Sequence, residues 1–227
     1  SDVIVDGLNN PWEIVFGPNG DIYFTERDGR IWKMSESGVA KVIQTFPKSG
    51  SVEGGTLGLA LHPDFEENNK IYVYQTNLEL ELYQNKVFSF EVDGDTLSNK
   101  QLILDGIPGA PWHDGGRIKF GPDQKLYIST GDAINPGWSQ DLSSLAGKIL
   151  RINSDGTIPD DNPFDSSPVF SYGHRNPQGL AWSTDGLFLS SEHGPSGELG
   201  YGHDEINVIL KGKNYGWPNV VGNSFDK

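Results

Sequence analysis

The chain has 227 residues and a formal charge of −14, from 31 Asp and Glu against 17 Lys and Arg, which excludes nucleic acid as a partner because phosphate binding needs clustered cations. It holds no cysteine, so disulfides, thiolate metal sites and a cysteine nucleophile are excluded, and any redox chemistry must come from a bound cofactor. Its 29 Gly, 14 Pro, 6 Trp, 8 Tyr and 11 Phe describe tight turns between ring-packed strands and exclude long helices, and no apolar run reaches the roughly 18 residues of a membrane span.

In chain order, Ser1 to Asp6 reads as a lone strand, of the sort that completes a last propeller blade lying further along a chain. A unit then begins that recurs four times: an apolar strand, a turn on Pro or Thr with Asp, Asn or Gly, and a second strand rich in Tyr, Phe and Ile. The copies are PWEIVFGPNGDIYFTER from Pro11, LGLALHPDFEENNKIYVYQT from Leu57, GRIKFGPDQKLYISTGD from Gly116 and NPQGLAWSTDGLFLSSE from Asn176. Their turn residues Pro18, Pro63, Pro122 and Thr184 lie 45, 59 and 62 positions apart. Each copy leads to a further strand candidate, at Arg30–Met34, Lys86–Val92, Lys148–Asn153 and Glu205–Leu210, with weaker runs at Lys41–Phe46 and Gln101–Asp105. The pattern predicts an all-β propeller with about four blades in this chain; a β-sandwich uses short strands too, but does not predict one unit repeated four times. No blade buries both faces alone, so the ring must close. The polar tail Val220–Lys227 offers no closing blade, so residues 1–227 are expected to form a single propeller domain that is incomplete at its C-terminus.

Loops that precede the first strand of each blade face the mouth of the axial channel, where ligands bind. His113-Asp-Gly-Gly-Arg117 precedes the third copy, and an imidazole there can accept a hydroxyl proton while paired glycines let backbone approach a flat ligand. A turn-capping histidine is the bland alternative. Gly173-His-Arg-Asn-Pro-Gln-Gly179 holds the equivalent place before the fourth copy, with the Arg175 guanidinium and Asn176 amide suited to an anionic oxygen. In Ser191–Ile206, the carbonyls of Gly194 and Pro195 suit a hard cation such as calcium, although so many glycines also fit a flexible surface loop. Glu53, ahead of the second copy, can accept a sugar hydroxyl or simply be a solvated acid. His62 reads as a turn residue, and His174, His193 and His203 as loop packing, since no pair has the spacing of a zinc site.

The segments GGTLGLALHPDF, HDGGRIKFGPDQKLYISTGD, GKILRINSDGTIPDDNPF, GHRNPQGLAW, EHGP and DEINVILKGKNYGWPNV resemble, in order, signatures of the soluble pyrroloquinoline quinone (PQQ) dependent glucose and aldose dehydrogenases, from about Gly7 to Val221. The resemblance implies the N-terminal two-thirds of a six-bladed propeller, with PQQ over the channel mouth and calcium bridging cofactor and protein. It implies that His113 is the base that removes the anomeric hydroxyl proton and that it contacts PQQ, while Glu53 orients the sugar. Arg175 and Asn176 would contact PQQ, with Arg175 balancing charge during catalysis, and the Gly194 and Pro195 carbonyls would bind calcium. The implied partners are an aldose, oxidised to its lactone, and an external electron acceptor; the implied location is periplasmic or extracellular, after removal of a signal peptide. The family places further basic PQQ contacts beyond Lys227, and its link from EHGP to DEIN is lengthened here by Glu198 to His203. The competing expectations are a non-catalytic propeller that binds carbohydrate or a protein partner, and a calcium-dependent lactone hydrolase.

Overall fold

In the computed structural model, which describes residues 2–195 and 202–222, each strand pairs antiparallel with its neighbours in sequence, giving four separate sheets. The first holds β1 (Pro11–Phe16), β2 (Ile22–Glu26), β3 (Arg30–Met34) and β4 (Ala40–Thr45). The second holds β5 (Thr56–Leu61), β6 (Lys70–Glu79), β7 (Leu82–Asp93) and β8 (Thr96–Pro108), and the third β9 (Ile118–Phe120), β10 (Leu126–Thr130), β11 (Lys148–Ile152) and β12 (Val169–Tyr172). Among the described residues the fourth contains β13 (Pro177–Trp182), β14 (Phe188–Glu192) and β15 (Glu205–Val208). Each sheet is one propeller blade, and the four repeats supply its first two strands.

Successive side chains of a strand point to opposite faces, and β6 shows why these blades must stack. Tyr72 and Tyr74 join a core with Ile118, Leu126 and Ile128 of the third blade. Ile71 and Val73, one residue out of phase, join Tyr23, Ile31 and Phe46 of the first. The second blade is thus buried on both faces, each sealed large side chain contributing about 1.5–3 kcal/mol. Tyr127 of the third blade meets Phe170 of its own blade edge-on at 5.3 Å, and Trp182 and Phe188 of the fourth blade at 5.1 and 4.9 Å.

The first strands of all four blades line one axial cavity through Val15, Leu59, Ile118 and Leu180. Arg117 crosses it. Its Nε donates to the Gln178 carbonyl at 2.9 Å, its Nη1 pairs with the Glu13 carboxylate, and its guanidinium lies 4.1 Å over the Trp12 ring. One cation thereby ties blades one, three and four together. Burial pushes the Glu13 carboxyl up, an effect that Arg117 only partly offsets.

The expected strand at Ser1–Asp6 is corrected: residues 2–6 form no strand, and Val3 and Ile4 are 79% and 67% exposed. A strand needs a hydrogen-bonding neighbour, and none stands beside this segment among the described residues. The weak runs at Lys41–Phe46 and Gln101–Asp105, by contrast, belong to full outer strands, β4 and β8. Residues 223–227 of the predicted polar tail lie outside the described residues, as do positions 198–201 of the lengthened Glu198–His203 link.

Candidate active site

Backbone alone brings the His113 loop and the loop after β10 into contact. A Cβ at Gly131 would overlap the His113 carbonyl, and one at Gly115 would stand 2.7 Å from the Gly131 nitrogen. The two loops are bonded through Ala133 N–H to the His113 carbonyl at 3.2 Å. His113 itself sits at φ 64°, a left-handed conformation that is uncommon outside glycine. This places its Nδ1 2.7 Å from Asp132 Oδ1. Asp132 is fully buried and also accepts the Trp217 indole N–H at 2.8 Å and the Ile134 N–H at 2.9 Å. A carboxylate only accepts, so Nδ1 carries the imidazole proton and Nε2 keeps its lone pair for a substrate.

Glu53 reaches the same residue from the second blade, its Oε2 accepting the His113 main-chain N–H at 2.9 Å. Beneath them lies Asp114, 1% exposed. Its Oδ1 accepts Asn85 Nδ2 at 2.9 Å and the Ala110 N–H at 3.2 Å, and Ser51 Oγ donates to Oδ2 at 3.3 Å. Burial, with a small repulsion from Glu53, pushes this carboxyl up to about 6 despite those bonds. Its main-chain carbonyl accepts the Tyr74 hydroxyl at 2.8 Å. Asp114 therefore fastens the His113 loop to β6, β7 and the loop that carries Glu53.

The Arg175 carbonyl accepts the Asp132 N–H at 2.7 Å, and Asn176 Oδ1 accepts the Gly115 N–H at 3.0 Å. Asn176, 2% exposed, thus holds the His113 loop with its carbonyl. The Arg175 guanidinium lies 5.5 Å over the Trp217 ring, and its Nη1 is 3.4 Å from the His193 carbonyl. Its main-chain N–H donates to Glu192 Oε1. The other Glu192 oxygen accepts His174 Nδ1 at 2.8 Å, and Ser171 Oγ donates to His174 Nε2 at 2.8 Å. Although serine, histidine and acid stand in a row, Ser171 and His174 are both 0% exposed, so no substrate can reach this serine. The group packs against Tyr215, which stacks on His174 at 4.6 Å, and it fixes the backbone of Arg175.

Gly194 and Pro195 border the same cleft as Arg175, Glu192 and Trp217. The Gly194 N–H donates to Asp204 Oδ1 at 2.8 Å, and a Cβ on Gly194 would collide with the carbonyls of Gly202 and His203. Main-chain oxygens are therefore concentrated here. His62, as expected, is a turn residue: its Nδ1 accepts the Asp64 N–H at 3.0 Å. His193 packs on Gln178, ring nitrogen to amide oxygen at 3.0 Å.

The sequence matches the glucose/sorbosone dehydrogenase family over residues 8–227. The chain belongs to that family. The quinoprotein glucose dehydrogenase B of Acinetobacter calcoaceticus is 38% identical over 97% of this chain and 52% of its own length. An oxidoreductase of Thermus thermophilus, described as a glucose dehydrogenase, superposes with a TM-score of 0.93 at 45% identity, over 99% of this chain and 69% of that one. The PQQ-bound aldose sugar dehydrogenase of Streptomyces coelicolor gives 0.89 at 39% identity, over 98% and 66%. This chain spans about half the length of the Acinetobacter relative. Within this member of the glucose/sorbosone dehydrogenase family, the structure gathers Glu53, His113, Arg175 and Asn176 in one place. Asp132, Asp114, Glu192 and Lys148 were not legible as members. Lys148 is fully buried, its Nζ donating to the carbonyls of Trp138, Ser139 and Ala146 at 2.7, 3.2 and 2.7 Å. Burial pushes its amine down to about 8, and it clamps the loop that carries Asp132.

Proposed function

We propose that this chain supplies the base, the anion contact and the calcium loop of a PQQ- and calcium-dependent aldose dehydrogenase. The observation that carries the reading is the His113–Asp132 pair at 2.7 Å, with the Arg175 backbone bonded to Asp132. The residues suit the group. Among the described residues the Arg175 side chain makes one long hydrogen bond, to a carbonyl, which leaves N–H donors for an anionic oxygen, and the main-chain oxygens at Gly194 and Pro195 are of the type that calcium selects. The quinoprotein and PQQ-bound relatives support the same assignment.

Bound PQQ would supply the acceptor for the hydride of the anomeric carbon. His113 Nε2 takes the proton of the anomeric hydroxyl, and Asp132 stabilises the imidazolium that results, as an acid behind a histidine does in other enzymes. Loss of hydride and proton converts the aldose to its lactone. The Arg175 guanidinium would hold negative charge that develops on the bound cofactor. Glu53, already fixed on the His113 N–H, has Oε1 left to accept a sugar hydroxyl. Asn176 positions the base through Gly115.

Dye reduction by aldoses, measured with protein supplied with PQQ and calcium, tests the reading. His113→Ala should abolish turnover while a PQQ absorbance titration still saturates. Absence of both turnover and quinone binding in the unaltered protein would overturn it.

A further inference from the structure

After β15 the chain turns back from the fourth blade and runs beside β12 of the third, where Asn214 pairs with Tyr172. The Tyr172 N–H donates to the Lys213 carbonyl at 3.1 Å, the Tyr172 carbonyl accepts the Tyr215 N–H at 2.8 Å, and the Trp217 N–H donates to the Gly173 carbonyl at 2.9 Å. Gln140, from the loop between β10 and β11, grips the same stretch. Its Nε2 donates to Asn214 Oδ1 at 3.0 Å and to the Trp217 carbonyl at 2.6 Å, and its Oε1 accepts Asn214 Nδ2 at 2.7 Å. The approach is close enough that a Cβ on Gly173 would collide with Asn214 Oδ1. Residues 213–217 therefore form a strap of fixed position, and it delivers one side chain to the site: Trp217, which is buried.

The indole meets the site in two places. Its Nε1–H donates to Asp132 Oδ2 at 2.8 Å, and its ring lies under the Arg175 guanidinium, 5.5 Å from the centroid. The first contact governs how Asp132 lies. Oδ1 serves His113 Nδ1 and the Ile134 N–H, whereas Oδ2 has the indole as its hydrogen-bond partner among the described residues. A carboxylate held through both oxygens has its plane fixed; one held through a single oxygen can turn, because the last torsion of an aspartate has a broad energy well. The second contact seats the guanidinium, since a cation within about 6 Å of an indole face is attracted to its electron-rich ring. One planar side chain thus touches both the acid behind His113 and the cation beside it.

Building on the dehydrogenase reading, we propose that Trp217 is a positioning residue with two separable tasks: its N–H keeps Asp132 turned so that His113 carries its proton on Nδ1, and its ring face seats Arg175 for an anionic ligand. Either nitrogen of a neutral imidazole can carry the proton, so the Nδ1–H form is selected by the fixed acceptor 2.7 Å away. When that acceptor is free to turn, the Nε2–H form gains population, and in that form Nε2 has no lone pair for a sugar hydroxyl. Phenylalanine at position 217 removes the N–H and retains a ring face; leucine removes both. Neither substitution touches the other groups that hold these loops, namely Glu53 on the His113 N–H, Asp114 beneath it and Glu192 on the Arg175 N–H.

Nitrogen NMR of the histidine rings, in mildly alkaline buffer and without PQQ, reads the tautomer directly, the His113 signals being identified by their absence from His113→Asn. The unaltered protein should show the Nδ1-protonated form. Trp217→Phe should raise the Nε2-protonated share at least tenfold, while the signals of His62, a turn residue of the second blade, stay in place and report an intact fold. In steady-state dye reduction with PQQ and calcium, Trp217→Phe should lower kcat at least tenfold with the aldose KM and the PQQ affinity within threefold of the parent, and Trp217→Leu should weaken PQQ binding at least fivefold. Because Trp217 acts on the base through Asp132, adding Trp217→Phe to Asp132→Asn should slow turnover no further. An unchanged tautomer in Trp217→Phe, additive losses in the double variant, or displaced His62 signals, which mark a merely structural role, would each overturn the inference. Absence of turnover in the unaltered protein leaves the tautomer measurement decisive for Trp217 and counts against the dehydrogenase reading alone.

Discussion

Replacing Asp114 by Asn should stabilise this protein at neutral pH and leave it unchanged in acid. The carboxyl rises from 3.8 to about 6 because burial penalises its ionised form. At about 1.36 kcal/mol per tenfold change in proton affinity, that difference is worth about 3 kcal/mol. Below pH 3.8 folded and unfolded chains both hold the proton. Between 3.8 and about 6 the folded chain binds more protons than the unfolded one, so stability falls as pH rises; above about 6 the full cost is present. An amide carries no such cost and still fits: its oxygen can accept from Asn85 and Ala110, and its NH2 faces Ser51 Oγ. Thr76 Oγ1, buried without a partner, offers a second acceptor on the same side, since a Cβ on Gly54 would touch both it and Asp114 Oδ2. Urea unfolding followed by tryptophan fluorescence at pH 4 and pH 7.5 measures the gap between variant and parent. The gap should be only about 0.5 kcal/mol at the lower pH and approach about 3 kcal/mol at the higher. An equal gap at both, or a variant less stable at pH 7.5, refutes the account of Asp114 as a buried charge without a cation.

Asp132→Asn should preserve the fold yet lower kcat by about 100-fold or more, because an amide can donate to Nδ1 and select the wrong tautomer; steady-state dye reduction with PQQ and calcium measures it. Gly131→Ala drives a methyl group into the His113 carbonyl, so thermal unfolding should show a loss of about 1–3 kcal/mol accompanied by lost turnover. An alanine variant with parental stability and activity would show that the two loops do not pack as described.

Most of the fold was legible because the faces on which neighbouring blades stack are buried, on both sides of the second blade, which writes a similar apolar unit into each repeat. Legibility fell where one face meets water: β8 is mostly exposed or half-buried along its 13 residues, and its apolar signal at Gln101–Asp105 was correspondingly faint. Ser1–Asp6 misled for the opposite reason, since β-branched Val3, Ile4 and Val5 have strand propensity whether or not a neighbour is present. At the site, His113, Arg175 and Glu53 announced themselves as chemistry-bearing groups beside glycines in equivalent loops. Asp132 and Glu192 did not, although a signal existed. The second strand of blades one, three and four runs into an acid, in TER, STGD and SSE, and Glu26, Asp132 and Glu192 are all buried. Asp114 and Lys148 matter through burial, which a local segment of sequence does not record.

The left-handed backbone at His113 narrows what can stand in its place. Asparagine, aspartate and glycine enter that conformation at small cost, whereas a β-branched residue there would strain the turn against Gly131. Asparagine is accordingly the replacement that removes the imidazole with least disturbance of the loop. The same substitution, His113→Asn, is expected to leave a folded protein that lacks the proposed base, on which binding of sugar and quinone can be measured apart from chemistry.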